Sequence, residues 1–74
     1  MNKERRKRLE EASALLEQAR EVIEDVKYEE EEAYDNLPEA FQTGERGEQM
    51  QSNIESLDEA VSWCDDVISC LGDF

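Results

Sequence analysis

Apolar residues recur along the first half of the chain at intervals that alternate between three and four positions. This period of 3.5 residues is the heptad pattern of a helix that packs lengthwise against another helix. The pattern is interrupted once, by Glu30. Its apolar positions are Leu9, Ala12, Leu16, Ala19, Ile23, Val26, Ala33 and Leu37. With Leu9 taken as heptad position a, the pattern predicts a first helix over about residues 3–35.

The second half of the chain repeats the heptad pattern and predicts a second helix over about residues 44–72. Its apolar positions are Met50, Ile54, Leu57, Val61, Cys64, Ile68 and Leu71. Between the two patterns, Pro38 disfavours helix at the residue before it, and Asn36 suits a turn. A turn is therefore expected over about residues 36–43. The chain is predicted to be all-α: one domain over residues 1–74, folded as an antiparallel two-helix hairpin.

Charged residues on the flanks of the two patterns provide an independent test of the hairpin. In an antiparallel pair, e positions face e positions and g positions face g positions. The e positions pair Arg20 with Asp65, Lys27 with Asp58, and Tyr34 with Gln51. The g positions pair Leu15 with Val67, and Val22 with Ala60. Both registers fold the chain near residue 42, inside the turn predicted from Pro38.

The second helix carries an additional apolar stripe that a simple hairpin leaves in water. It consists of Ala60, Trp63, Val67, Cys70 and Phe74, on the same flank as Leu15 and Val22. An apolar surface on two sides of a helix predicts burial on two sides, and an exposed patch of this kind marks an interface. We expect the chain to bind itself, as a homodimeric four-helix bundle or a higher homo-oligomer. A monomer with an exposed tryptophan and a different protein partner are the alternatives.

Composition argues against catalysis and metal binding. The chain has no histidine, so the usual nucleophile–base pairs and the Glu-x-x-His ligands of di-iron bundles are absent. The acidic run over residues 29–32 is interpreted as a solvated helix face. Glu30 is the exception, because it lies in the apolar pattern and either weakens the seam or contacts something specific. We predict no enzyme activity, no cofactor and no metal, and the net charge of −13 argues against broad nucleic-acid binding.

No targeting signal is evident in the sequence. No apolar run approaches the length of about 18 residues that a membrane helix needs, and the basic start is not followed by the apolar stretch of a secretory signal. Cys64 and Cys70 lie about 9 Å apart along a helix axis, too far for a disulfide between them. They are expected to be reduced, buried thiols of a cytoplasmic protein.

The basic cluster at residues 3–8 has no role in helix stability. It holds five positive residues and one negative, whereas the rest of the chain holds three positive and twenty negative. Cations at a helix N-terminus oppose the helix macrodipole. Guanidinium groups suit phosphate, so we predict an anion site at Lys3, Arg5, Arg6 and Arg8. The alternative is an electrostatic clamp onto acidic residues at the end of the second helix: Asp65, Asp66 and Asp73.

The turn segment YDNLPEAFQ over residues 34–42, followed by ERGEQM over 45–50, resembles small acidic helical-hairpin proteins of phages, prophages and gut bacteria. The resemblance extends over nearly the whole chain. Because its motif is a turn, it implies a hairpin and carries no reaction with it. It also implies an accessory or counter-defence protein that binds its target stoichiometrically in the cytoplasm of an infected or lysogenic host.

Three functional hypotheses follow from these features. In the first, a homo-oligomer sequesters an anionic nucleotide, such as a cyclic nucleotide of a bacterial immune pathway, through its arginine-rich ends. In the second, the acidic body mimics nucleic acid and occupies the basic cleft of a host defence or DNA-binding protein. In the third, the Trp63 stripe docks another protein as a plain assembly module. The first is preferred because it accounts for the basic cluster.

Overall fold

The computed structural model describes all 74 residues, and the prediction of an all-α fold is confirmed, with 86% helix and no strands. Helix α1 spans Lys3–Asp35, α2 is a single turn over Glu39–Gln42, and α3 spans Glu45–Leu71. The long helices end within one residue of the bounds expected from the heptad pattern. The short helix α2 lies inside the segment expected to be a turn, and the pattern does not distinguish it from a loop.

Helices α1 and α3 pack side by side in an elongated molecule of 58 × 14 × 11 Å. Three of the polar contacts between them join e positions: Arg20 Nε donates to Asp65 Oδ1 at 2.5 Å, Lys27 Nζ to Asp58 Oδ1 at 3.2 Å, and Gln51 Nε2 to Tyr34 Oη at 2.8 Å. Residue numbers rise along α1 as they fall along α3, so the helices run antiparallel. The contacts join the same residues that the e positions pair in the sequence.

The turn is held together by one side chain and one glycine. The Gln42 amide donates to the carbonyl oxygens of Tyr34 and Leu37, both at 3.1 Å. Carbonyl groups at the end of a helix lack intrahelical partners. The Gln42 amide therefore supplies hydrogen bonds to carbonyl groups at the end of α1 and just beyond it. Gly47 is buried, and a Cβ built there would lie 2.1 Å from the Gln42 carbonyl oxygen and 2.6 Å from that of Phe41. The backbone of α2 therefore rests directly on α3.

The apolar core of the single chain is thin. Val61 is its only buried apolar residue, at 7% exposure. The accessible surface is 5770 Å², against about 4,700 Å² for a compact monomer of the same mass. The radius of gyration is 17.1 Å, against about 11 Å for a compact domain of this length. One chain therefore leaves most of its apolar side chains in contact with water.

The seam of α1 is narrower than the sequence predicts. Its a positions and the e positions Arg20 and Lys27 lie against α3, but its d positions Ala19, Val26 and Ala33 are exposed. The prediction that these d positions lie in the hairpin core is wrong. Only the first d position of the apolar pattern, Ala12, is half-buried, whereas the ion pairs place Arg20 and Lys27 at the e positions against α3.

Glu30, the interruption in the heptad pattern, has a defined partner. Asn53 Nδ2 donates to Glu30 Oε2 at 2.9 Å, and Gln49 Nε2 donates to Asn53 Oδ1 at 2.9 Å. A polar residue in a helical seam selects the register at a cost in stability. The Glu30 carboxylate therefore accepts a hydrogen bond in the seam from the Asn53 amide, which itself accepts one from Gln49.

The pairing of Lys27 with Asp58 predicts the result of a charge exchange. The hydrogen bond to Asp58 raises the pKa of Lys27, because it favours the charged ammonium. A Lys27→Glu variant faces Asp58 with like charge, so we expect a lower melting temperature by circular dichroism. Adding Asp58→Lys is expected to restore stability, and 1 M salt to reduce the differences. A double variant no more stable than the single one would contradict this pairing.

Candidate functional site

The basic cluster forms the first turns of α1, here called the basic segment (residues 3–8). The side chain of Asn2 caps the helix, with Oδ1 accepting a hydrogen bond from the backbone N–H of Arg5 at 2.8 Å. Every residue of the segment is exposed. Because the segment is helical and capped, its cations project from a regular scaffold and not from a loose tail.

The cations lie on two sides of the helix. One shallow concavity is lined by Arg5 and Arg8 with Met1 and Leu9. Another is lined by Lys3, Arg6 and Lys7 with Glu10. The four predicted anion ligands, Lys3, Arg5, Arg6 and Arg8, therefore lie at one end of the molecule but do not converge on one enclosed pocket within a single chain.

The alternative clamp onto the end of α3 is not formed. All ion pairs of the chain involve Arg20 or Lys27, whose partners are Glu24, Asp65 and Asp58. No cation of the basic segment lies within ion-pair distance of a carboxylate. Arg6 of the segment, with the adjacent Leu9, borders the end of α3 near Leu71 and Phe74. Its positive charges are thus available to a ligand or a second chain.

The predicted oligomer stripe forms one continuous exposed surface, here called the open face. On α1 it comprises the predicted Leu15 and Val22 together with Ala19 and Val26, which the sequence pattern did not assign to it. On α3 it comprises Ala60, Trp63, Val67 and Cys70, and Phe74 follows beyond the end of α3. Leu15 is 65% exposed, and Val22 and Trp63 are each 62% exposed. Ala60 alone is half-buried. Nothing within the chain covers this face, which runs along the same half of the hairpin as the basic segment.

The cysteines differ in their surroundings. Cys64 is half-buried in the seam, whereas Cys70 is exposed on the open face. The expectation that both thiols are buried is therefore wrong for the single chain. The apolar stripe that contains Cys70 has no partner helix inside the hairpin.

Two further polar contacts of α1 shift the pKa of a side chain. Tyr28 Oη donates to Glu24 Oε1 at 3.0 Å, and this hydrogen bond raises the pKa of Tyr28. The hydrogen bond to Asp65 raises the pKa of Arg20. No three Asp, Glu or Cys side chains are placed to hold one metal ion, and neither long helix contains a stretch apolar enough to cross a membrane.

No protein-family model matches the chain, and comparisons with curated proteins and with solved structures also give no match. The resemblance of the turn motif to phage and prophage hairpin proteins stays a prediction. Function is therefore argued from two features of the molecule, the basic segment and the open face.

Proposed function

We propose that this chain is a non-enzymatic binding protein that forms a homo-oligomer and sequesters an anionic nucleotide through its basic segment. The observation that carries the proposal is the segment itself: five cations within six residues, all exposed and none in an ion pair. Arginine binds phosphate through two parallel hydrogen bonds. A ligand with phosphate groups matches this chemistry.

The surroundings of the segment favour a nucleotide over inorganic phosphate. Leu9 lines the same concavity as Arg5 and Arg8, and it also borders Phe74 beyond the end of α3. The Phe74 ring is exposed. Nucleobases stack on aromatic rings and on guanidinium planes. The end of the hairpin therefore offers charge for phosphate and apolar surface for a base.

The acidic body restricts the size of the ligand. Outside the basic segment the chain carries three positive and twenty negative residues. A long polyanion that reached beyond the segment would meet this negative field and be repelled. A small nucleotide needs to contact only the end of the molecule. Capture of a cyclic nucleotide immune signal fits this geometry and the phage setting that the turn motif implies.

Ligand binding is expected to raise the melting temperature of the protein. The test is a thermal-shift screen against cyclic AMP, cyclic di-AMP, cyclic di-GMP and ADP at near-physiological salt. A ligand at a hundred times its Kd stabilises the folded state by about 2.7 kcal/mol. For a domain of this size, that corresponds to an increase of about 10–20 °C.

Two variants separate specific binding from a general charge effect. The triple variant Arg5→Ala, Arg6→Ala and Arg8→Ala is expected to stay helical and to lose the ligand-dependent shift. Arg46→Ala, which removes an exposed arginine at the opposite end of the hairpin, is expected to keep it. A panel without any shift would contradict the proposal and favour the acidic decoy or the assembly module.

A further inference from the structure

We infer that a second copy of this chain covers the open face in a parallel arrangement, with each α1 against the partner's α3, so that the two basic segments meet at one end and form a single shared anion site. The ligand part of this inference rests on the proposed function. The arrangement of the chains rests on the open face alone, so the two parts can fail separately.

The accessible surface area of the single chain is large enough to include an interface with a second copy. Its accessible surface exceeds that expected of a compact monomer of equal mass by about 1,100 Å². A stable interface buries about 800 Å² on each partner. The open face includes both helices, so two copies that join through it form a four-helix bundle. The excess of the whole chain is thus as large as the area that such an interface removes from each partner, and a second hairpin has the shape to cover the open face.

Side-chain sizes favour the parallel arrangement. Within the hairpin, Ala19 lies at the height of Trp63 and Val22 at the height of Ala60, as the g-position register requires. In a parallel dimer, residues at the same level along the bundle axis face each other across the interface. The partner's Trp63 therefore covers Ala19. An antiparallel dimer centred on this level instead stacks Trp63 on the partner's Trp63 and leaves Ala19 opposite Ala19. A large side chain against a small one packs at higher density than two large or two small side chains against each other.

Charges on the outer flank of α1 favour the same arrangement. Four of the five c positions of α1 are acidic, including Glu11 and Asp25, the fifth is Gln18, and all are exposed. In a parallel dimer they lie beside the c positions of the partner's α3, which are neutral: Gln49, Ser56, Trp63 and Cys70. In an antiparallel dimer, Glu11 of one copy lies beside Asp25 of the other. Like charges in juxtaposition penalise that pairing.

The parallel arrangement completes the anion site. Arg5 and Arg8 occupy the d and g positions that form the open face further along α1. The dimer therefore directs four guanidinium groups, two from each copy, toward one opening near the two Phe74 rings. The twofold axis along the bundle passes through this opening. A ligand with two phosphates, such as a cyclic dinucleotide, matches that symmetry and relieves the repulsion between the segments, with one ligand bound to two chains.

Distances between spin labels distinguish the arrangements. The label is placed at Asp35→Cys, an exposed site at the turn end of α1, after Cys64→Ala and Cys70→Ser remove the native thiols. Double electron–electron resonance measures the distance between the two labels. In the parallel dimer this distance is expected to be less than about 30 Å, because four helices of about 10 Å diameter set the bundle width. In an antiparallel dimer centred on Ala19, the label at residue 35 of each copy lies on the opposite side of the centre from the other. The labels are then about 50 Å apart, at a rise of 1.5 Å per residue. The longer distance, or the absence of dipolar coupling in a monomer, would overturn the arrangement.

Titration of the wild-type protein with cyclic di-GMP and cyclic di-AMP tests the shared site. Saturation at one ligand for two chains is expected, with loss of binding in the triple arginine variant. Saturation at one ligand per chain would overturn the shared site while leaving the proposed function intact. A short label distance without binding of either probe would overturn the anion site and leave the interface standing.

Discussion

A Trp63→Ala variant is expected to weaken homodimerisation by about a thousandfold. Trp63 is the largest side chain on the open face and is 62% exposed in the single chain. Truncating a central aromatic residue of an interface costs about 2 kcal/mol or more, and a twofold dimer loses two such residues. A total of about 4 kcal/mol corresponds to about three orders of magnitude in Kd.

Sedimentation equilibrium over a wide range of protein concentrations measures this effect. The matched control is Phe41→Ala, since Phe41 is similarly exposed but lies in α2, outside the open face. The control is expected to dimerise as the wild type does. A wild-type protein that stays monomeric at every concentration, or a Trp63→Ala variant that associates normally, would contradict the role of the open face.

The apolar character of this interface also sets its response to salt. None of the residues that form the open face on α1 or α3 is charged. Association through it is therefore expected to persist at high ionic strength, whereas an acidic decoy bound to a basic cleft would dissociate. This difference separates self-association from the charge-driven alternative.

A Gly47→Ala variant is expected to lower the melting temperature by about 10 °C. The added Cβ would lie 2.1 Å from the Gln42 carbonyl oxygen and 2.5 Å from its carbonyl carbon, both backbone atoms of the turn. Overpacking against atoms that cannot rotate away costs about 1–3 kcal/mol. In a domain of this size, each kcal/mol lowers the melting temperature by about 4–8 °C.

Gly44→Ala is the matched control for this effect. Gly44 lies three residues away, and a Cβ there would be 3.6 Å from its nearest neighbour, at an ordinary contact distance. We expect only a small change, because Gly44 has extended backbone angles that alanine also adopts. Equal melting temperatures for the two variants, measured by circular dichroism, would show that α2 does not need the close approach to α3.

In the turn, the residue pattern predicts the change of direction but not the contacts that stabilise it. Pro38 and Asn36 indicate a turn, because proline restricts the residue before it and asparagine suits a helix end. They do not indicate that Gln42 binds the carbonyls at the end of α1, or that Gly47 lies beneath α2. Those contacts join residues whose proximity depends on the path of the turn. No local pattern contains that information.

The same limit applies to the basic segment. Its composition and position are evident from the sequence, and its charge identifies it as an anion site or a clamp. Only the structure shows that no carboxylate of α3 pairs with it. Residues of α1 and α3 meet according to the rotation of each helix, which the sequence of the segment does not contain. That the arginines lie on two sides of α1 follows from the helical period itself.

The sequence alone determined that the chain is helical, that it folds back near residue 42, and which charged residues pair across the seam. It did so because heptad spacing and charge order are properties of residues at known intervals along a helix. The tertiary structure decided how α1 is rotated: Arg20 and Lys27 hold its e positions against α3, which turns Ala19 and Val26 outward. That rotation depends on contacts between segments far apart in the chain, and it adds Ala19 and Val26 to the Leu15 and Val22 that the sequence already places on the open face.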